Sequence, residues 1–358
     1  MKNTFKILFI LFLIPLSIFA TGKKGKYTKN KMIKKEFKVN KDATLKVNNK
    51  YGNIEVTTWN ENKIVIQVSI TTTGNDEEKV KARLDRINVD FTNNSSNVTA
   101  KTIIEKKSSS WKIWGKNNNV SMEINYLIKM PITNNVNLNN DYGAINIDKL
   151  EGTSIINCDY GSLNIGELRN TNNHINIDYT NNSFIDFMKD GDINADYSTL
   201  NITKSGRTKL NADYSHITFG QVTNLNFNCD YGSLKMDEAG NVTGDSDYMH
   251  NSVGKLLGTG SFKIEYGSLK IKEISANFKS LNVVSSYTHL KFGTEDPVSF
   301  DFSARLSYSG LKYDDNKFTF TREVKDSSQK EYEGYYNSAN SGKTITIKSD
   351  YGSVTFYK

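Results

Sequence analysis

Residues 154–165, Ser154-Ile155-Ile156-Asn157-Cys158-Asp159-Tyr160-Gly161-Ser162-Leu163-Asn164-Ile165, carry the pattern that decides the fold. The acid-tyrosine pair at its centre recurs in eight consecutive copies, 17 to 19 residues apart, from Asp141 to Tyr266. The tyrosines are Tyr142, Tyr160, Tyr179, Tyr197, Tyr214, Tyr231, Tyr248 and Tyr266, preceded by Asp141, Asp159, Asp178, Asp196, Asp213, Asp230, Asp247 and Glu265. Looser copies stand at Tyr287 and Tyr308, an outlying one at Tyr51, and another at Asp350-Tyr351-Gly352. A period this short, with no helical spacing inside it, predicts an all-β chain folded as a parallel β-helix (β-solenoid) of about 18 residues per coil.

Within the repeat, residues four and two before the tyrosine are apolar or small, as in Ile156 and Cys158, Ile175 and Ile177, Leu210 and Ala212, Phe227 and Cys229. The alternate positions are polar, which is a strand with one buried face. After the tyrosine the apolar pair returns three and five residues on, as in Leu163 and Ile165, Leu200 and Ile202, Leu269 and Ile271. The parity has flipped, so the chain bends between the two strands. Gly143, Gly161, Gly232, Gly267 and Gly352 follow the tyrosine and suggest a positive φ there, whereas Thr180, Ser198 and Ser215 argue against a strict requirement. The tyrosines share the parity of the buried columns, so their rings are expected inward or along the corner, stacked as a ladder.

Lys2 and Lys6 followed by the apolar run Ile7 to Phe19 and then Ala20 read as a signal peptide over 1–20. The run contains Pro15 and is too short to span a bilayer, so no transmembrane segment is expected after signal removal. The expected location is exported: periplasm, cell surface or secreted. Seven lysines between Lys23 and Lys35 make 21–36 a basic flexible leader. Without these and the two signal-peptide lysines the formal charge of +7 becomes about −2. No basic face remains for nucleic acid.

Residues 37–132 read as an N-terminal β region that caps the solenoid. Alternating Phe37, Val39, Leu45 and Val47, then Ile64, Ile66, Val68 and Ile70, are strands. Asn75 with Glu78 three residues on resembles a capping box, and Val80, Leu84 and Ile87 share one helical face, so a short helix is expected to cover the first coil. The loop from Lys106 to Asn119 holds Trp111 and Trp114 among lysines. These are candidates to contact a sugar or acidic glycan, unless the indoles fold back on a hairpin tip. Regular coils are expected over 133–313, and a C-terminal insertion plus closing coil over 314–358.

The opening Tyr51-Gly52-Asn53-Ile54-Glu55-Val56 with Trp59, the helix after Asn75, the Asp-Tyr-Gly coils and Ser349-Asp350-Tyr351-Gly352-Ser353-Val354 resemble the bacterial secreted putative-adhesin domain family. The resemblance runs from about residue 37 onward and implies a parallel β-helix with an adhesin-like role and no catalytic residues.

The same column logic limits the chemistry. Cys158 and Cys229 share a column four coils apart, roughly 19 Å at about 4.8 Å per coil, beyond the ~7 Å reach of a disulfide. His216, His250 and His289 are two coils apart each time, too far to share a zinc ion, and His174 belongs to another column. The stacked acids must be hydrogen-bonded, protonated or neutralised; an Asx-type turn at each Asp needs no ion, whereas bridging calcium would. Adjacent carboxylates mimic a retaining glycosidase pair, but nothing makes one differ from the next. No nucleophile motif, phosphate loop or metal triad is present, so no cofactor and no enzymatic activity is expected. The sequence therefore points to a non-enzymatic putative adhesin that meets a glycan or envelope protein through repetitive polar faces, with the Asn and Asp columns and Lys235, Lys270, Lys291 and Lys312 as candidates. An envelope scaffold or stress-related structural protein is the first alternative, and a polysaccharide lyase or glycosidase-like β-helix the second.

Overall fold

The computed structural model describes residues 25–105, 120–314 and 316–357. The signal segment 1–20 and the loop bearing Trp111 and Trp114 lie outside the described residues. The chain is a β-solenoid. Strands stack in parallel register so that equivalent residues stand above one another: Ile156 pairs with Leu138 and Ile175, and Asp159 with Asp141 and Asp178. Each coil consists of a strand leading into the tyrosine and a strand leading out, and each tyrosine N–H from Tyr142 to Tyr214 donates to the carbonyl of the acid in the next coil, at 2.9 to 3.1 Å. The ladder therefore runs unbroken through the corner, leaving those corner amides paired rather than exposed.

The parity flip is made by the tyrosine itself. All twelve ladder tyrosines have positive φ, from 46° at Tyr308 to 63° at Tyr51, and the acid and tyrosine both face outward while the following residue turns in. This corrects the expectation of positive φ at the following glycine, and of the two placements expected for the rings, inward or along the corner, the inward one does not occur. Glycine serves there by its size: a Cβ on Gly143 would lie 2.0 Å from the Gly52 carbonyl oxygen. Where Thr180, Ser198 and Ser215 stand instead, the buried hydroxyl donates to the carbonyl two residues back at 3.0, 2.7 and 2.8 Å, so the inward polar group is satisfied. The coil of Tyr179 absorbs an extra residue at Asn182, also at positive φ, which buries Ser183 and Ile185 and leaves Phe184 exposed.

Both ends depart from the parallel pattern. Tyr27–Lys38, expected within a flexible leader, is a strand antiparallel to Lys63–Gly74. Its lysines form an edge: Lys29 holds the helix through Glu77 at 2.5 Å, and Lys31 reaches Asn88 in the strand that follows the helix. A lysine-rich edge strand discourages pairing with other chains. The helix is Glu77–Asp85, capped by Asp76, whose side chain accepts from the Lys79 N–H at 3.1 Å; Asn75 is not the cap. Val80 and Leu84 are buried, whereas Ile87 begins the next strand.

At the other end the chain order and the spatial order differ. Thr344–Asp350 lies between Ser280–Ser286 and Phe300–Ser307, and Ser353–Tyr357 lies between His289–Thr294 and Gly310–Lys312. The segment expected to close the stack is thus its penultimate coil. On the side leading into the tyrosines, the hairpin formed by Phe318–Lys325 and Gln329–Tyr336 covers the final coil through antiparallel pairing. No helix among the described residues is long and apolar enough to cross a membrane.

Candidate functional site

The outward tyrosines form one continuous stack in the order Tyr51, Tyr142, Tyr160, Tyr179, Tyr197, Tyr214, Tyr231, Tyr248, Tyr266, Tyr287, Tyr351, Tyr308. Adjacent centroids are 4.7 to 5.2 Å apart and the rings are within 13° of parallel. Every ring remains 39 to 65% exposed, so this is a surface feature. Both faces of each interior ring are occupied by its neighbours. Sugars or cations cannot stack there, and a partner meets only hydroxyls and ring edges. Within the stack, only the terminal rings of Tyr51 and Tyr308 have a stacked neighbour on one side alone.

A bulky residue in the left-handed region costs roughly 1–2 kcal/mol, which stacking on two sides, at about 0.5–1.5 kcal/mol per pair, offsets. Tyr197→Ala loses the stacking and keeps the strain, whereas Tyr197→Gly loses both. We therefore expect the glycine variant to be more stable than the alanine variant by about 1 kcal/mol in urea denaturation, both lying below the parent chain. The reverse order would show that the positive φ costs nothing.

The acid column runs along one side of the rings. Lys50 ends it with an ion pair to Asp141 at 2.5 Å. Partial burial first, and then repulsion from acids in neighbouring coils, raises Asp159, Asp213 and Asp247 above the usual carboxylate range. The expected Asx-type turn is not what Asp196 and Asp230 show. They accept the N–H of the aspartate one coil on, at 3.3 and 3.2 Å. A carboxylate whose folded pKa is raised contributes a penalty that is absent below its unfolded pKa, about 3.9, and complete above its folded one. Asp213→Asn is therefore expected to melt slightly higher than the parent near neutral pH. The gain should shrink with added salt and vanish near pH 3. A lower melting temperature at neutral pH would mean that the charge is needed.

On the other side, two residues after the tyrosines, histidines and serines alternate. The Nδ1 atoms of His216, His250 and His289 lie 2.9, 3.0 and 2.9 Å from the hydroxyls of Ser233, Ser268 and Ser353. One serine separates successive histidines along the stack, in keeping with the two-coil spacing read from the sequence. Asn139, Asn157, Asn176, Asn194 and Asn211 form an amide ladder with bonds of 2.7 to 2.9 Å. This internal bonding engages the amide column. Lys270 stands beside Lys291, while Thr355 of the inserted coil separates Lys291 from Lys312. Lys235 is paired with Asp237 at 2.8 Å.

Cys158 and Cys229 are buried free thiols in one column, linked through Ile177, Ala195 and Ala212 in the strand register. Burial pushes both up to about 12, which removes the thiolate needed for redox or metal chemistry. Among the described residues no group of three or more His, Cys, Asp or Glu side chains is placed to hold a metal. The alternating His-Ser bonds were missed because the two residue types fall in different coils.

No family model and no curated protein matches this chain. Among solved structures, a putative cell adhesion protein from Clostridium sporogenes is 10% identical and covers 92% of this chain and 99% of its own, with a TM-score of 0.18. A putative adhesin from Bacteroides fragilis is 9% identical over 91% of this chain and 97% of its own, with a TM-score of 0.21. A putative adhesin from Parabacteroides distasonis is 10% identical over the same shares, with a TM-score of 0.27. Scores this low leave the fold assignment to the coil register itself.

Proposed function

We propose that the chain is an exported, non-enzymatic β-solenoid that binds an extended partner, a glycan or a protein of the cell envelope, through its tyrosine face. The observation that supports this is the row of twelve half-exposed phenols at one constant repeat. A partner with hydroxyl or carbonyl groups along its length gains many weak contacts with the phenol tips and the electropositive ring edges, and such contacts add through multivalency. Catalysis finds no support in the acid column. Three of its members share the same upward shift for the same reasons, whereas an acid-base pair needs two carboxylates set apart by environment.

A chain carrying Tyr179, Tyr197, Tyr214 and Tyr231 all replaced by Ser tests the proposal on a glycan array and on isolated envelopes. Binding is expected to fall about tenfold or more. Unchanged binding by a variant whose melting curve shows it folded would remove the face from consideration. A scaffold role is the competing reading, favoured by the mutual covering of ring faces, which stabilises the stack without a ligand. It gains ground if the parent chain binds nothing, or if intact cells completely protect it from added protease. A polysaccharide-degradation assay addresses the lyase alternative.

A further inference from the structure

Away from the tyrosine face, an open groove of about 530 Å³ runs along the solenoid from the coil of His174 to that of Asn241. It spans five coils, roughly 19 Å at about 4.8 Å per coil. Its walls are two parallel ridges made by residues two apart on each strand: Asp190 and Asp192, then Arg207 and Lys209, then Asn224 and Asn226. The floor between them is formed by Gly191, Thr208 and Leu225.

We infer that this groove is a second binding site, which takes a short, linear, uncharged oligosaccharide lying parallel to the solenoid axis. The charges cancel within the site. Asp190 holds the Arg207 guanidinium through Nε and Nη2 at 3.2 and 2.8 Å, and Asp192 lies 3.4 Å from His174. The Arg207 side chain is nevertheless 74% exposed and fixed in position, so it presents an oriented donor at low entropic cost. The Asn241 amide donates to the Asn224 carbonyl at 2.8 Å, and among the described residues the Asn224 amide nitrogen has no protein partner. Asn226 and Lys209 add further groups able to meet hydroxyls. Thr208 itself is 3% exposed and lies on the inward side of its strand, in register with the core residue Leu225, so only its backbone belongs to the floor and its unpartnered hydroxyl is closed to the groove. An extended peptide fits less well, because the strands beneath are paired on both sides and offer no free edge.

The choice of a sugar rests on the reading of this chain as a glycan-facing binder, and the test separates the two. Linear glucan, mannan and chitin hexamers, with polygalacturonate as the acidic control, are titrated calorimetrically against four chains: the parent, Arg207→Ala with Asn226→Ala, Thr208→Val, and the four-tyrosine serine variant. At least one neutral hexamer is expected to bind. The double variant should weaken it tenfold or more, and the tyrosine variant should leave it unchanged. Thr208→Val is expected to melt as high as the parent or higher, because an unpaired buried hydroxyl is removed, and to bind like the parent, because that hydroxyl faces the core and not the groove. Binding lost only in the tyrosine variant would overturn the groove while keeping the binding-module reading. Binding of polygalacturonate alone would overturn the uncharged ligand, and no binding by any chain would overturn the site together with the sugar.

Discussion

A chain ending at Gly342 is expected to keep its central coils folded and to lose the order of residues 296–342. The removed segment, although last in sequence, is an internal rung. Thr344–Asp350 pairs with strands on both sides, and Tyr351 stacks on Tyr287 at 5.0 Å and on Tyr308 at 4.9 Å. Phe356 packs against Phe292, Phe300, Phe302 and Phe318, so its loss opens a hole between two coils that do not touch each other's backbone. Burial of Ile345, Ile347, Val354 and Phe356 contributes on the order of 6–12 kcal/mol in apolar transfer alone, comparable to the whole stability of an ordinary domain. The coil at Tyr308 and its hairpin cannot simply drop by one rung. Their connection from Thr294 would have to close a shorter gap, and residues 300–307 would need a new partner face. Limited proteolysis read by mass spectrometry should show rapid cleavage within 296–342 and a resistant fragment reaching Thr294. A truncated chain as resistant as the parent throughout would mean that the order of the last coils is not the one described.

That inverted order was invisible in the sequence for a physical reason. Coils of a solenoid are nearly interchangeable, and Ser349-Asp350-Tyr351-Gly352 matches every neighbour equally well. The choice of rung is made by side-chain volume across coils, with Phe356 and Phe300 as one such pair, and by the hairpin that occupies the terminal rung. The columns themselves were legible, because alternation at period two and a fixed repeat leave little freedom in what faces inward. The direction of the tyrosines was not. Their parity matched the buried positions, and only the positive φ at the tyrosine itself places two successive side chains outside. The strand Tyr27–Lys38 was hidden by its composition: five lysines in twelve residues resemble a solvated leader until Lys63–Gly74 supplies a partner. The groove between Asp190 and Asn226 left no signature in the repeat, since its residues fall on the outward half of an ordinary alternating strand.

The second large effect is expected at Phe227 and Gly244. Gly244 is the register partner of Phe262 and has Phe227 on its other side, and the two rings approach to 6.2 Å across the glycine. Phenylalanine, glycine, phenylalanine is thus one inward column in three successive coils, with large rings sharing the space that the small residue leaves. Truncation by Phe227→Ala empties a fully enclosed site in a rigid stack and is expected to cost about 3–5 kcal/mol. Gly244→Ala acts in the opposite direction. A Cβ there would lie 2.4 Å from the Phe227 ring and 2.5 Å from the Phe227 carbonyl oxygen, so overpacking is expected to cost about 1–3 kcal/mol or more. In the double variant the ring conflict is gone and the carbonyl conflict remains. Gly244→Ala should therefore cost less in the Phe227→Ala background than alone, with a coupling of about 0.5–3 kcal/mol, but it should still cost something. Urea denaturation of the four proteins measures the coupling. Strict additivity would show that the glycine is required only by the neighbouring backbone, and a double variant as stable as Phe227→Ala would show that the ring was the entire obstacle.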